Sequence, residues 1–298
     1  MSTPAVEISK EGFFNIINQI APHQVVFDIE TAARDDLWLR KFYKQPKKLP
    51  KELKSPPGDF NPLAVKTGNI KDPVKKNAKI AQSRKQHAAN QIEYTKKLNE
   101  FYEESFNTFR DKAALKAHLN RVLAIGYGVY TGKSLRVWCD YGNELSLIKN
   151  FWRVVSRIRH EACSGNLYSW NGHNFDIPIM VQKSWMVGTM PHRLITKYGK
   201  MEDFLIDGEV KWRQGVWGMD AKLKLEHAAI ALGVEGKLSG MDGSQFAEVL
   251  QTNPEKAREY LRRDISATFY VLERMGCFTK HKSYLTKVIS DDDATVAK

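Results

Sequence analysis

Two rhythms of apolar and polar positions run through this chain, and they predict an alternation of strands and helices. The run Gln24-Val25-Val26-Phe27 follows a Pro-His turn signal and leads into Asp28-Ile29-Glu30-Thr31, with the β-branched and aromatic content of a buried strand. Arg121 to Tyr130 reads as a second buried strand. Ser134 to Cys139 follows as its hairpin partner across the Thr131-Gly132-Lys133 turn. From Glu144 the period lengthens: Leu147, Ile148, Phe151, Trp152, Val155 and Ile158 recur at helical spacing and predict an amphipathic helix. Asn166 to Asn171 is a further short strand and Asp176 to Val187 a helix after it. Ala221 to Leu232 and Pro254 to Met275 are two more helices, the first ended by Gly233.

Between these patterned regions lies a stretch of another character. KQPKKLPKELKSPPGDFNP has little periodicity and reads as extended or loosely ordered, and the segment that follows it has helix-forming composition with a basic face. The expectation is one α/β domain over 1–298 with a basic insertion at 41–104, after the first strand, and a polar, frayed tail at 279–298. Net charge sharpens that division. Of a chain total of +12, the stretch Lys41 to Lys97 carries fifteen Lys and Arg against four Asp and Glu. A local surplus of this size favours a polyanionic partner, nucleic acid first, over an evenly solvated surface.

The remaining composition narrows the class. Hydrophobic content of 42% and charged content of 27% are ordinary for a globular chain. Cys139, Cys163 and Cys277 are sparse and far apart, which argues against a disulfide framework or a zinc site and fits a reducing compartment. No secretory leader and no run long enough to span a membrane is visible, so a soluble cytoplasmic protein is expected.

Three elements carry candidate chemistry. Asp28 and Glu30 are two apart on a predicted strand, so both side chains leave one face. Crowded carboxylates resist ionisation unless a cation lies between them, and hard ions such as Mg²⁺ take oxygen ligands. The plain alternative is a strand end with two solvated acids. Asp176 closes Asn171-Gly172-His173-Asn174-Phe175-Asp176-Ile177-Pro178, where a strand passes through a turn into a helix. A helix cap is its ordinary alternative. Tyr260 and Asp264 stand at i, i+4 on one face of the last helix, with core packing and an arginine pair as the alternative.

Taken together, D-I-E-T after an apolar strand, N-F-D-I-P in mid-chain and Y-x-x-x-D near the end resemble the three motifs of the DEDD 3′→5′ exonucleases, in the subgroup with tyrosine in the third motif. The likeness is closest to the stand-alone relatives of the exonuclease domain of family-B DNA polymerases. It covers Val25 to Met275 apart from the basic insertion, and takes in the loop Gly240 to Ser244. The resemblance implies a ribonuclease H-like fold, a mixed β-sheet flanked by α-helices, and two divalent ions, Mg²⁺ or Mn²⁺. By that resemblance Asp28 would bridge both ions, Glu30 and Asp264 would complete the first site, and Asp176 would hold the second, through water. Tyr260 would position the attacking water, and nucleoside 5′-monophosphates would leave from the 3′ end of single-stranded DNA.

Substrate contacts are read more loosely. Asn171 and Asn174 suit either a sugar–phosphate contact or the turn itself. Phe175 suits a wedge against the terminal base or packing beneath Asp176. Thr31 would offer its backbone N–H to the 3′ end, and Trp38 a stacking platform for bases. His173 reads as a hydrogen-bonding residue rather than a ligand, since hard ions prefer oxygen. In the insertion, Lys47, Lys48, Lys51, Lys54, Lys75, Lys76, Arg84 and Lys85 would line a path for the backbone; a linker or a protein-docking arm is the rival reading. RNA exonuclease activity and a binding module without catalysis stand as alternatives to DNA cleavage. Polymerase motifs are not seen, so a role in proofreading or repair would need a separate partner.

Overall fold

In the computed structural model of the chain, the described residues are 5–19, 24–158, 165–192, 205–214, 222–235, 241 and 243–278. They fall into two compact units, residues 1–34 with 113–298 and residues 35–112. Cys163, Gly240, Asp242 and the tail 279–298 lie outside the described residues.

The larger unit is built on a six-stranded mixed sheet. Its strands are β1 (Val6–Glu7), β2 (Gln24–Ala33), β3 (Asn120–Tyr130), β4 (Leu135–Tyr141), β5 (Asn166–Ser169) and β6 (Leu205–Asp207), in the spatial order β1-β4-β3-β2-β5-β6. β2, β3 and β4 form an antiparallel meander; β1 joins β4 in parallel, and β5 and β6 extend the other side in parallel. The basic insertion therefore follows the second strand and not the first. Two residues are too few to show a strand period, which is why β1 has no signature in the sequence.

Helices cover both faces of the sheet. Alternate residues of β2 divide between two cores: Val25, Phe27 and Ile29 join α1 (Lys10–Gln19), α4 (Glu144–Ile158) and α5 (Asp176–Met186), while Val26 joins the last described helix. The helices after α5 are α6 (Gly208–Arg213), α7 (Leu225–Ala231), α8 (Phe246–Thr252) and α9 (Pro254–Arg274). Asn253 starts α9 by accepting the Lys256 N–H at 3.1 Å, with Pro254 at the first helical position. Leu261, Ile265, Phe269 and Leu272 then recur along its buried face, each burial contributing about 1.5–3 kcal/mol. Among the described residues no helix is long and apolar enough to cross a membrane.

How closely α9 approaches the sheet is decided by two glycines. A Cβ at Gly126 would lie 2.7 Å from Ile265 Cγ1, and one at Gly128 would lie 2.6 Å from Ile265 Cγ2. Gly126 is also the cross-strand partner of Asp28. The bare backbone of β3 thus lets α9 settle against the sheet beside that aspartate.

A buried ionic cluster fixes α4 and α5 to the strands. Lys183, with no exposed surface, pairs with Glu144 at 2.8 Å and donates to the carbonyl of Asn120. Glu144 also accepts from Arg34 and from the Val122 N–H, each at 2.9 Å. Surrounding the carboxylate with three donors offsets the cost of burying it.

The smaller unit contains α2 (Asp36–Arg40), a loop with two short 3₁₀ turns, and the 39-residue α3 (Pro73–Asp111). The loop is not loose. Tyr94 donates its hydroxyl to the Leu53 carbonyl at 3.0 Å, the His87 ring meets the Gly58 carbonyl at 2.7 Å, and Leu53 is buried. At the far end of α3, Tyr43 packs on Phe106 and Phe109. Helical composition between 72 and 106 is realised as one continuous helix.

Candidate active site

On the α9 face of β2, Asp28 and Glu30 leave the strand together with Val26, as the two-residue period requires. Between Glu30 and Thr31 the register with β3 shifts: Glu30 faces Ala124 while Thr31 faces Val122, so Leu123 is an extra residue. Such a bulge sharpens the twist and re-aims the side chains next to it. Across the gap, Asp264 projects from α9. One carboxylate oxygen from each of Asp28, Glu30 and Asp264 lies within 4.8 Å of the other two. Asp28 is half-buried, Glu30 is 7% exposed and Asp264 1%.

Asp176 reaches the same strand from the other side. β5 pairs with β2 only from Gln24 to Val26, so the β2 edge beyond that point is open. Asp176 fills it: its Oδ1 accepts the Ile29 N–H at 3.2 Å, with the side chain 2% exposed. Burial pushes the Asp176 carboxyl well above the usual carboxylate range, and the charge of Asp28 adds to that, opposed by the Ile29 hydrogen bond. The cap alternative does not hold. Phe175 occupies the cap position of α5 without a side-chain bond, and Asp176 is the first helical residue.

Tyr260 lies one turn before Asp264, buried against Phe246 with ring centroids 5.9 Å apart. Gly243 stands over the space between Tyr260 and Glu30. A Cβ there would be 3.6 Å from Glu30 Oε2 and 3.9 Å from the Tyr260 hydroxyl oxygen. Alanine fits at that distance, whereas branched γ carbons would reach into the gap. Gly243→Val is expected to lower the activity of this site by about tenfold or more, as misplaced reacting groups do, with the thermal midpoint unchanged. Gly243→Ala is expected to retain most activity. A valine variant as active as the wild type would show that this space is not used.

Asp207 holds the turn before Asp176, although no motif marks it in the sequence. Its carboxylate, 2% exposed, accepts the N–H groups of Asn171 (2.8 Å), His173 (2.9 Å) and Glu209 (2.9 Å). Its signal was an Asp-Gly-Glu helix start, which marks a cap and nothing more. Asn171 adopts a left-handed backbone (φ 65°) and its side chain accepts from the Asn174 amide at 3.1 Å. Both asparagines thus have defined parts in the turn. Phe175 packs against the core, and the Thr31 hydroxyl donates to the Ala114 carbonyl at 2.8 Å. The His173 ring sits 3.7 Å from Asp207.

The remaining expected contacts belong to the unit of residues 35–112. There the Trp38 ring packs on Phe42, with the Lys41 ammonium 5.0 Å from its centre. Arg84 lies over Phe60, and Lys75, Lys76 and Lys85 are exposed.

The donor set fits a hard divalent ion. Three carboxylates this close repel one another unless a cation or proton lies among them, and an all-oxygen set suits Mg²⁺ or Mn²⁺ better than softer metals. Comparison with known proteins gives an independent line. No curated protein matches the chain. Residues 112–288, more than half of it, match the family described as predicted 3′–5′ exonuclease related to the exonuclease domain of PolB. The matched span holds Asp176, Tyr260 and Asp264; Asp28 and Glu30 precede it, and the fold brings them to Asp264. The chain belongs to this family of predicted 3′–5′ exonucleases related to the exonuclease domain of PolB.

Proposed function

We propose that this protein hydrolyses phosphodiester bonds of single-stranded DNA from the 3′ end, releasing nucleoside 5′-monophosphates. The observation that carries the reading is the meeting of Asp28, Glu30 and Asp264 within 4.8 Å, from two elements far apart in sequence. In this reading those three carboxylates would hold one divalent ion, and Asp176, together with Asp28, would hold a second. Two bound ions supply activation of the attacking water and stabilisation of the leaving 3′ oxygen.

The side chains do the rest. Tyr260 hydrogen-bonds the attacking water and orients it toward phosphorus. A phenol hydroxyl both donates and accepts a hydrogen bond, which suits that positioning role. As the water oxygen bonds to phosphorus, the bond from phosphorus to the 3′ oxygen breaks. The products are a chain one nucleotide shorter with a free 3′-OH and a nucleoside 5′-monophosphate. Asp207 keeps the Asn171–Asp176 turn in place, and so sets where Asp176 sits. The low exposure of Glu30 and Asp264 limits competing solvent at their oxygens.

The test uses 5′-labelled single-stranded DNA and RNA of one sequence with Mg²⁺ or Mn²⁺. A ladder shortening from the 3′ end of the DNA, abolished by EDTA and restored by added metal, is expected. A ladder on RNA alone would reassign the substrate, and no ladder on either polymer would overturn the reading.

A further inference from the structure

We propose that the N-terminal half of α3, with the lysine-rich loop fastened along the helix, is a second nucleic-acid binding surface that grips the phosphate backbone. The choice of nucleic acid as the polyanion rests on the exonuclease reading; the surface itself stands on its own observations.

Charge along α3 is sharply divided. From Pro73 to Ile92 there are five Lys or Arg and no acid, whereas Glu93 to Asp111 holds five acids and three bases. The cations of the second half are matched: Lys96 and Lys97 pair with Glu100 and Glu93, and Arg110 with Asp36. Among the described residues no carboxylate pairs with Lys75, Lys76, Lys79 or Lys85, and all four are exposed. Arg84 lies against Phe60.

Their location works against the helix. The start of an α-helix favours negative charge; α3 has one carboxylate there, Asp72, which caps it by accepting the Val74 N–H at 2.8 Å, while the first turn itself holds no acid and Lys75 and Lys76 take its third and fourth positions. Lys79 then stands one turn from Lys75, a like-charge pair that destabilises further. A surface serving only solubility has no need of this arrangement, since glutamate at the same positions would solvate equally well and stabilise the helix. The loop adds to it: Gly58 meets His87 in the N-terminal half of α3, and Leu53 meets Tyr94 at the start of the second half, which places Lys51 and Lys54 beside the junction of the two halves. Two basic segments remote in sequence thereby share one body. Phosphate contacts by such cations release counterions, so affinity falls steeply with salt.

The test measures binding of a fluorescent single-stranded oligonucleotide to the full chain in EDTA, which separates binding from cleavage. Lys75→Glu with Lys76→Glu is expected to weaken binding by about tenfold and to flatten the salt slope by about 1.4, or 0.7 per lost contact. The thermal midpoint is expected to stay level or rise, because the new charges suit the helix start. Lys75→Arg with Lys76→Arg is expected to bind as wild type, and the glutamine pair to fall between. Unchanged affinity and slope in the glutamate and glutamine pairs would overturn the proposal. So would equal loss in the arginine pair, or loss confined to binding of phosphatidylserine vesicles. Because EDTA removes cleavage from the measurement, a chain that binds but shortens neither DNA nor RNA would overturn the exonuclease reading and leave this one standing.

Discussion

Asp28→Asn is expected to lower 3′-end cleavage by roughly 10³-fold or more, the effect of losing about 4 kcal/mol of charge stabilisation at the reacting phosphate. The substitution keeps the shape of the side chain and removes one charge from a group of three oxygens within 4.8 Å. Without metal those charges repel, so the variant is expected to melt no lower than wild type in EDTA. It is also expected to gain less thermal protection than wild type when Mn²⁺ is added, because ligand binding stabilises only through differential affinity. Cleavage assays and melting curves with and without Mn²⁺ check both halves. Wild-type cleavage by Asp28→Asn would remove the aspartate from the machinery, and a large fall in metal-free stability would recast it as a structural residue.

Gly126→Val is expected to damage stability and activity together. Its Cβ would start 2.7 Å from Ile265 Cγ1 and 3.0 Å from Leu261 Cδ1, and the two methyl groups reach further. Both neighbours are buried side chains of the helix core, with little room to yield. Overpacking of this kind costs about 1–3 kcal/mol. The helix that must give way carries Tyr260 and Asp264, and displacement of reacting groups by about 1 Å can cost about 10²-fold in rate. A loss of cleavage exceeding the loss of folded protein is therefore expected, measured as kcat corrected by the denaturant-derived folded fraction. A valine variant of normal activity would mean that α9 does not depend on the bare backbone of β3 for its place.

These two substitutions mark the two ways the site is built. Asp28 is part of the donor set, and Gly126 is the absence of a side chain that allows the donor set to meet. The first kind of residue has a sequence signature. A glycine within an apolar strand reads only as a weakness in that strand until the helix over it is seen.

What the amino-acid sequence determined by itself was the local part. Strand period places Asp28 and Glu30 on one face, and helical period places Tyr260 and Asp264 on another, because both periods follow from backbone geometry alone. The hairpin at Gly132, the helices over 144–158 and 254–274, and the concentration of charge in the insertion were legible for the same reason. Short elements were not. β1 and β6 span two and three residues, and α1 presents Phe13, Phe14, Ile16 and Ile17 over too short a length to separate helix from strand.

Contact between distant segments was settled by tertiary packing. Whether Asp176 caps its helix or meets β2 depends on where β5 stops pairing, and that is a property of the sheet. The hold of Asp207 on the Asn171–Asp176 turn joins residues more than thirty apart. The burial of Lys183 needs Glu144 and Asn120 from two other elements, and no pattern in α5 announces it. Asp28, Glu30 and Asp264 meet because α9 rests on Gly126 and Gly128. The side chains were written in the sequence; the distance between them came from packing, which the sequence expresses only after the chain has folded.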